Sequence, residues 1–89
     1  MKPADIEDKL QNKFGFERNL HHTDHRWFVL KLQGIAPVTT FFSHSREEIR
    51  AVLEGKIARQ LKVNSRYLRG MVDCTRSCEE YYQHVRNFR

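Results

Sequence analysis

The sequence has few of the residues on which small disulfide-linked scaffolds and flexible tails depend. Its 89 residues include two cysteines, two prolines and four glycines. Cys74 and Cys78 are four positions apart, a spacing that suits a disulfide poorly, so a scaffold held by disulfides is excluded. No stretch has the biased composition of a disordered tail. Because a chain of this length can bury one core but not two, we expect a single domain over residues 1–89.

Long apolar runs are also absent. No stretch approaches the roughly 18 apolar residues that cross a bilayer, and the first residues lack the apolar segment of a signal peptide. These absences predict a cytoplasmic protein without a membrane partner, in which both cysteines are reduced thiols. A zinc site formed by Cys74, Cys78 and His84 would lack a fourth ligand at a suitable spacing, so we expect no cofactor.

The common catalytic and phosphate-binding loops are missing as well: the sequence contains no G-x-x-x-x-G-K, G-x-S-x-G or G-x-G-x-x-G. What the sequence does have is positive charge, with 16 Lys and Arg against 11 Asp and Glu and a net charge of +5. This charge favours an anionic partner, either nucleic acid or an acidic protein. Acidic residues alternate with the basic ones in the second half, so solvated helix surfaces account for much of the pattern.

Hydrophobic periodicity predicts the element order α-β-β-β-α-α-α. Helices are predicted over 3–14, 46–62 and 64–72 and after Ser77, and strands over 16–20, 26–32 and 38–42. Two segments, Ser45 to Glu48 and Ser77 to Glu80, have the spacing of a capping box. Short connections between the strands favour an antiparallel meander. The apolar stripe of the second helix is predicted to comprise Ile49, Val52, Leu53, Ile57 and Leu61.

Three of the five histidines, His21, His22 and His25, lie within five positions between two predicted strands. The segment is either a catalytic or ligand-binding turn or a polar connection that uses histidine. Zinc binding by all three is disfavoured, because adjacent residues on a strand point to opposite faces. A histidine can take a proton from a ribose 2′-hydroxyl near neutral pH, and a neighbouring cation such as Arg26 can balance charge at phosphorus. His25 is therefore a candidate general base.

Strand alternation predicts that His25, Trp27 and Val29 share the open face of the sheet. An exposed tryptophan there would stack on a nucleic-acid base or be covered by a partner protein. The third alternative is that the C-terminal helix of the same chain buries Trp27.

Four features together resemble a known family. The first helix ends in Gly15-Phe16, and a histidine follows nine positions after that Phe. The third strand ends in "FFSHSREEI", and the next helix, "LEGKIARQL", contains a glycine. This pattern over residues 3–63 resembles the HicA family, small ribonuclease toxins (mRNA interferases) with a double-stranded-RNA-binding-domain-like fold that a HicB antitoxin inhibits. Residues 64–89 form an extension outside the family pattern.

The resemblance implies roles for two histidines. His25 in "TDH" matches the catalytic hairpin histidine of the family, and His44 in "FFSHS" matches a second histidine after the third strand. Thr23-Asp24 replaces the family's Gly-Ser pair, and the family's proline before His44 is missing. Asp24 would either hinder the approach of phosphate or orient the imidazole of His25.

The expected fold is therefore α+β, with an α-β-β-β-α double-stranded-RNA-binding-domain-like core over 3–63, a three-stranded antiparallel sheet and a helical extension over 64–89. The expected function is binding of RNA, in this family messenger RNA, with metal-independent endoribonuclease activity. His25 is the predicted catalytic residue, and the predicted RNA contacts are Arg26, Trp27, Lys31 and His44. A HicB-like antitoxin is the implied protein partner. The alternative is a non-enzymatic interaction domain whose open sheet face is covered by its own C-terminal helix or by a partner protein.

Overall fold

The computed structural model describes residues 1–19, 25–43 and 49–88, with only the backbone described at His25 and Ser43. Over these ranges the chain forms four helices and three strands in the predicted order. They are α1 Pro3–Asn12, β1 Glu17–Asn19, β2 His25–Leu30, β3 Val38–Ser43, α2 Ala51–Gln60, α3 Ser65–Val72 and α4 Cys78–Arg86. None of the helices in these ranges is long and apolar enough to cross a membrane.

The three strands form one open antiparallel sheet in the order β1-β2-β3, as the short connections predict. Trp27 in the central strand lies opposite Asn19 on one side and Phe41 on the other. The protein is therefore an α+β fold with a three-stranded meander. The prediction that His25 lies on a turn is wrong, because it is the first residue of β2 and its backbone pairs with Ser43. The strand thus begins one residue before the predicted range of 26–32 and ends two residues before the end of that range, at Leu30.

One hydrophobic core lies between the sheet and the helices. The strands contribute alternate residues, among them Phe28 and Phe42, which are each at most 2% exposed. Every helix adds buried side chains to the same cluster, including Ile6, Leu10, Ile57, Leu68, Met71, Tyr81 and Val85. Residues of the C-terminal extension are therefore part of the same core as α1 and the sheet, and full burial of each large side chain contributes about 1.5–3 kcal/mol.

The starts of α1, α3 and α4 follow the signals in the sequence. Pro3 occupies the first turn of α1, where its missing N–H is not needed. The side chain of Asn64 accepts a hydrogen bond from the amide of Tyr67, and Ser77 accepts one from the amide of Glu80. These two caps confirm the predicted starts of α3 and α4.

The predicted start of the second helix is wrong. Ile49 and Arg50 are not helical, and α2 begins at Ala51; the segment of the predicted cap, Ser45 to Glu48, lies outside the described residues. The amide of Ile49 donates to the carbonyl oxygen of Met1 at 2.7 Å, so this residue is anchored to the chain's first residue. Ile49 is buried without being helical, and the predicted stripe is wrong at Val52, which is 89% exposed.

The C-terminal helix packs on the same side of the sheet as α1. The ring of Tyr81 lies 5.5 Å from that of Phe14 and 6.2 Å from that of Phe16. Its hydroxyl donates to the carbonyl oxygen of Leu61 at 2.9 Å. The hypothesis that this helix covers Trp27 is therefore wrong, because the apolar side chains of α4 are buried in the core on the opposite face.

Candidate nucleic-acid interface

The face of the sheet opposite the helices carries an aromatic pair. Trp27 and Phe41 lie opposite each other in the β2–β3 ladder. Their ring centroids are 4.4 Å apart and the ring planes are inclined by 19°, so the rings are stacked. Both side chains are half-buried, as is Val29 on the same face. Trp27 and Val29 therefore share the open face, as the strand alternation predicts.

A lysine from α2 extends this aromatic pair. The Nζ atom of Lys56 lies 5.5 Å from the centroid of the Phe41 ring, within the range of a cation–π contact. One turn further along α2, Oε1 of Gln60 accepts hydrogen bonds from the amide of Phe41 at 3.2 Å and from the Thr40 hydroxyl at 2.7 Å. Gln60 thus satisfies a backbone donor on the edge strand and fixes α2 beside the aromatic pair.

Position 25 lies on the same side of the sheet as the aromatic pair. Residues 25 and 27 are two apart in β2, and residues 41 and 43 are two apart in β3, so alternation places all four positions on one face. His25 therefore begins the row that contains Trp27. His44 follows Ser43 in the sequence and, like His21 and His22, lies outside the described residues.

Arg26 lies on the other face. Its Nη1 donates to Oε2 of Glu7 in α1 at 3.1 Å, and Oε1 of the same carboxylate accepts from Nη1 of Arg18 at 3.0 Å. The Arg26 side chain is 15% exposed. Glu7 thus joins β1 and β2 to α1, and the guanidinium of Arg26 is on the opposite side of the sheet from Trp27.

Lys31 lies at the far end of the central strand. It is the first residue after β2 and is exposed. Position 31 is six positions after position 25, which corresponds to about 20 Å at the usual rise per residue of a strand. Lys31 and His25 are therefore too far apart to contact one phosphate group.

Metal-binding groups do not cluster in the part of the chain that the structure describes. No three side chains of the types His, Cys, Asp and Glu come together there. Cys74 and Cys78 are free thiols, and Nε2 of His84 lies 2.5 Å from the carbonyl oxygen of Lys62. The described residues therefore contain no ligand set for zinc.

The resolved pKa shifts of the described residues lie in the helices. Burial raises the pKa of Tyr82 to about 12, and a hydrogen-bond interaction with Cys78 adds to this shift. Burial is also the largest cause of the raised pKa values of Tyr67 and Tyr81. These groups stabilise the core and are not part of the open face.

Three residues of the interface were not identified from the sequence. The pattern around Phe42 contained a signal for Phe41, because a neighbour of a buried strand residue must point to the opposite face. Lys56 and Gln60 had no such signal, since their positions depend on how α2 packs against the edge of β3.

An open antiparallel sheet with helices on one face and a half-buried aromatic pair on the other defines an α+β domain of four helices and three strands over the described residues. None of the family models, curated proteins or solved structures compared with this chain matches it.

Proposed function

We propose that this chain is a HicA-like RNA-binding protein with the double-stranded-RNA-binding-domain-like arrangement, acting in the cytoplasm as a metal-independent mRNA interferase. The observation that carries the proposal is the strand register, which brings position 25 onto the open face that holds the stacked Trp27 and Phe41. Aromatic side chains on an open sheet are a common means of binding unpaired bases. The net charge of +5 favours the same partner.

The chemistry needs one histidine at the ribose. RNA carries its own nucleophile, so His25 as general base removes the proton of the 2′-hydroxyl, whose oxygen then attacks the adjacent phosphorus. The bond from phosphorus to the 5′-oxygen breaks, that oxygen takes up a proton from water, and His25 returns its proton to the solvent. His44 and Lys31 are the proposed phosphate contacts for the reacting and neighbouring nucleotides. Arg26 supports the strand that carries His25 through its contact with Glu7.

The test is cleavage of a single-stranded messenger RNA fragment by the purified chain with a chelator present. Removal of a general base usually costs 10²- to 10⁴-fold in rate, so we expect His25→Ala to lower cleavage by about that factor. His22→Ala is the matched control, because it removes another histidine of the same segment. Equal cleavage by the wild type and His25→Ala would place the activity elsewhere.

A HicB-like antitoxin is the proposed protein partner, and the apolar part of the open face favours it. Trp27, Val29 and Phe41 are each half-buried and together form an apolar surface that a partner can cover. The same surface is the basis of the alternative, a non-enzymatic interaction domain covered by a partner protein. Growth arrest on expression in a bacterial host that is lost in His25→Ala supports the enzyme, whereas growth arrest by both forms supports the interaction domain.

A further inference from the structure

We infer that Arg59, Lys62 and Arg66 form a basic turn between α2 and α3 that binds the phosphate backbone of RNA outside the open face of the sheet. This inference rests on the proposed RNA-binding function. It adds a second contact surface, to which the helical extension contributes.

The net charge of the protein lies entirely in one segment. Residues 49–72, which contain α2 and α3, include one acidic residue, Glu54, and six basic residues: Arg50, Lys56, Arg59, Lys62, Arg66 and Arg69. The segment therefore has a net charge of +5, equal to that of the whole chain, and the other residues comprise ten basic and ten acidic side chains. A polyanion is attracted to this segment rather than to the chain as a whole.

The single carboxylate of the segment does not neutralise the basic turn. Glu54 is 4% exposed, and its Oε1 accepts a hydrogen bond from Nε of Arg69 at 2.7 Å. Within the ranges that the structure describes, the side chains of Arg59 and Arg66 form no hydrogen bond or ion pair. Both arginines are exposed, so their guanidinium groups can bind an external phosphate.

Lys62 occupies a backbone position that favours glycine. Its amide donates to the carbonyl oxygen of Arg59 at 3.1 Å, and the amide of Val63 donates to that of Ala58 at 2.9 Å. These are the two hydrogen bonds of a Schellman motif, in which the residue at the position of Lys62 is usually glycine. Lys62 has φ of +69°, a conformation that costs free energy for any residue with a side chain. A lysine that lowers stability here is explained if its charge has a function.

Arg66 also occupies a position that is unfavourable for the fold. It lies in the first turn of α3, which contains no acidic residue. The N-terminal end of a helix carries partial positive charge, so a cation there is destabilising. Two exposed cations that each oppose stability, four positions apart, are typical of a surface maintained for binding.

The basic turn is fixed to α4 on the helical side of the sheet. The carbonyl oxygen of Leu61 accepts a hydrogen bond from the Tyr81 hydroxyl at 2.9 Å, and that of Lys62 lies 2.5 Å from Nε2 of His84. The Nζ atom of Lys62 lies 5.9 Å from the centroid of the Phe88 ring, and the lysine is exposed. Because α4 packs against the core, the basic turn is separate from the open face.

The composition of the basic turn suits a phosphate backbone better than an acidic protein. The apolar residues Leu61 and Leu68 are fully buried, whereas protein interfaces are usually built around exposed apolar anchors. The planar guanidinium groups of Arg59 and Arg66 match the paired oxygens of a phosphate group. Nucleic acid is therefore the partner that this surface favours.

The salt dependence of RNA binding tests the basic turn. Fluorescence anisotropy of a labelled oligouridylate is measured at several salt concentrations in a His25→Ala background, which leaves the RNA intact. Arg59→Gln combined with Arg66→Gln should weaken binding and lower the slope of log affinity against log salt by about 1.4, because each phosphate contact on a single strand contributes about 0.7. Lys2→Gln combined with Lys13→Gln is the matched control, since it removes two charges from the ends of α1. This control should change the slope little.

Lys62→Gly separates binding from stability. Glycine suits the left-handed backbone and keeps the carbonyl oxygen that contacts His84. The variant should therefore unfold at a higher urea concentration while its binding slope falls by about 0.7. Cys74 is the matched control, because it is exposed and has φ of +70°. Cys74→Gly should raise the urea midpoint in the same way and leave RNA binding unchanged.

The outcomes distinguish this inference from the proposed function. Equal effects of the two double variants, or unchanged RNA binding by Lys62→Gly, would overturn the basic turn and leave RNA binding in place. Binding that depends on the basic turn, without cleavage by the wild type, would support the inference and refute the interferase. Polyglutamate that displaces RNA at equal charge concentration would overturn the assignment to phosphate and favour an acidic protein. Absence of RNA binding would overturn this inference together with the RNA-binding function.

Discussion

The phenolic hydroxyl of Tyr82 in α4 donates a hydrogen bond to the carbonyl oxygen of Phe14, 68 positions earlier in the chain, at 2.8 Å. The next residue, Gly15, has φ of +74°, and a Cβ atom at this position would lie 2.7 Å from the same hydroxyl oxygen. The end of α1 and the C-terminal helix are therefore fitted closely to each other. Several consequences of this arrangement can be measured.

The extension is expected to be necessary for folding. Removal of residues 64–89 would expose Phe14 and Leu61, which are fully buried, and would delete four buried side chains of the same core, Leu68, Met71, Tyr81 and Val85. Each of these four side chains contributes about 1.5–3 kcal/mol through its burial. Their combined loss is comparable to the whole free energy of unfolding of a typical domain. We expect the shortened chain to show no cooperative unfolding in urea. A chain that ends at Arg86, where α4 ends, is the control and should unfold cooperatively.

Two helical glycines are expected to respond oppositely to alanine. A Cβ atom at Gly55 in α2 would lie 3.7 Å from Oγ of Ser65, an ordinary contact, whereas one at Gly70 in α3 would lie 2.8 Å from Cγ of Arg76. Gly55→Ala should raise the free energy of unfolding by about 0.5–1 kcal/mol, since alanine loses less entropy in a helix. Gly70→Ala should lower it by about 1–3 kcal/mol because the site is overpacked. Urea denaturation measures both, and a loss of stability in Gly55→Ala would contradict the packing described for α2 and α3.

Alkaline pH is expected to destabilise the fold through its tyrosines. Burial raises the pKa of Tyr82 to about 12, from 10.0, and burial likewise raises the pKa of Tyr81. The unfolded chain therefore loses these protons first, and the stability that is fully present below about pH 10 falls as the pH rises toward 12. Absorbance at the tyrosinate band should change little at pH 10 in the folded protein. Substantial tyrosinate at pH 10 without unfolding would contradict the burial of these hydroxyl groups.

The variant Tyr82→Phe tests the contribution of this hydroxyl both at neutral pH and at alkaline pH. This variant loses the hydrogen bond to Phe14, so its stability at neutral pH should fall by about 0.5–1.5 kcal/mol. Its loss of stability between pH 10 and 12 should be smaller than that of the wild type, because one of the shifted groups has been removed.

Glu7 is expected to stabilise the junction of α1 with the sheet. Its carboxylate accepts hydrogen bonds from Arg18 and Arg26, and its side chain is 19% exposed. Glu7→Gln removes the negative charge from a partly buried site beside two cations, which should lower the free energy of unfolding by about 1–3 kcal/mol. Asp8→Asn is the control, because Asp8 is exposed and its ion pair with Lys9 is on the surface. Equal effects of the two changes in urea unfolding would show that the Glu7 contacts contribute little.

Much of the fold was predictable because it depends on local signals. Pro3, Asn64 and Ser77 mark helix starts through backbone geometry and capping, which act within a few residues. The alternation of Trp27 with Phe28 identified the two faces of β2. The second helix was misplaced because Ile49 is anchored by the carbonyl oxygen of Met1, a contact between distant parts of the chain that no local pattern reveals.

The candidate interface was predictable only in part. Position 25 and Trp27 are two residues apart in one strand, so alternation in the sequence is enough to predict that they share a face. Both positions belong to β2 in the structure. Arg26 was predicted as an RNA contact from its adjacency to His25, but neighbouring strand residues point to opposite faces, and it contacts Glu7. Phe41 and Lys56 belong to β3 and α2. Phe41 lies beside Trp27 because of the strand register, and Lys56 lies over the Phe41 ring because of the way α2 packs against β3.

The sequence by itself determined the element order, the antiparallel meander and the two faces of the central strand, because periodicity, caps and short connections act locally. Only the tertiary structure decided which side of the sheet the C-terminal helix covers, where α2 begins and which cation lies beside the aromatic pair. Those outcomes depend on contacts between residues far apart in the chain, such as Tyr82 with Phe14, whose free energies are gained only when the whole core assembles.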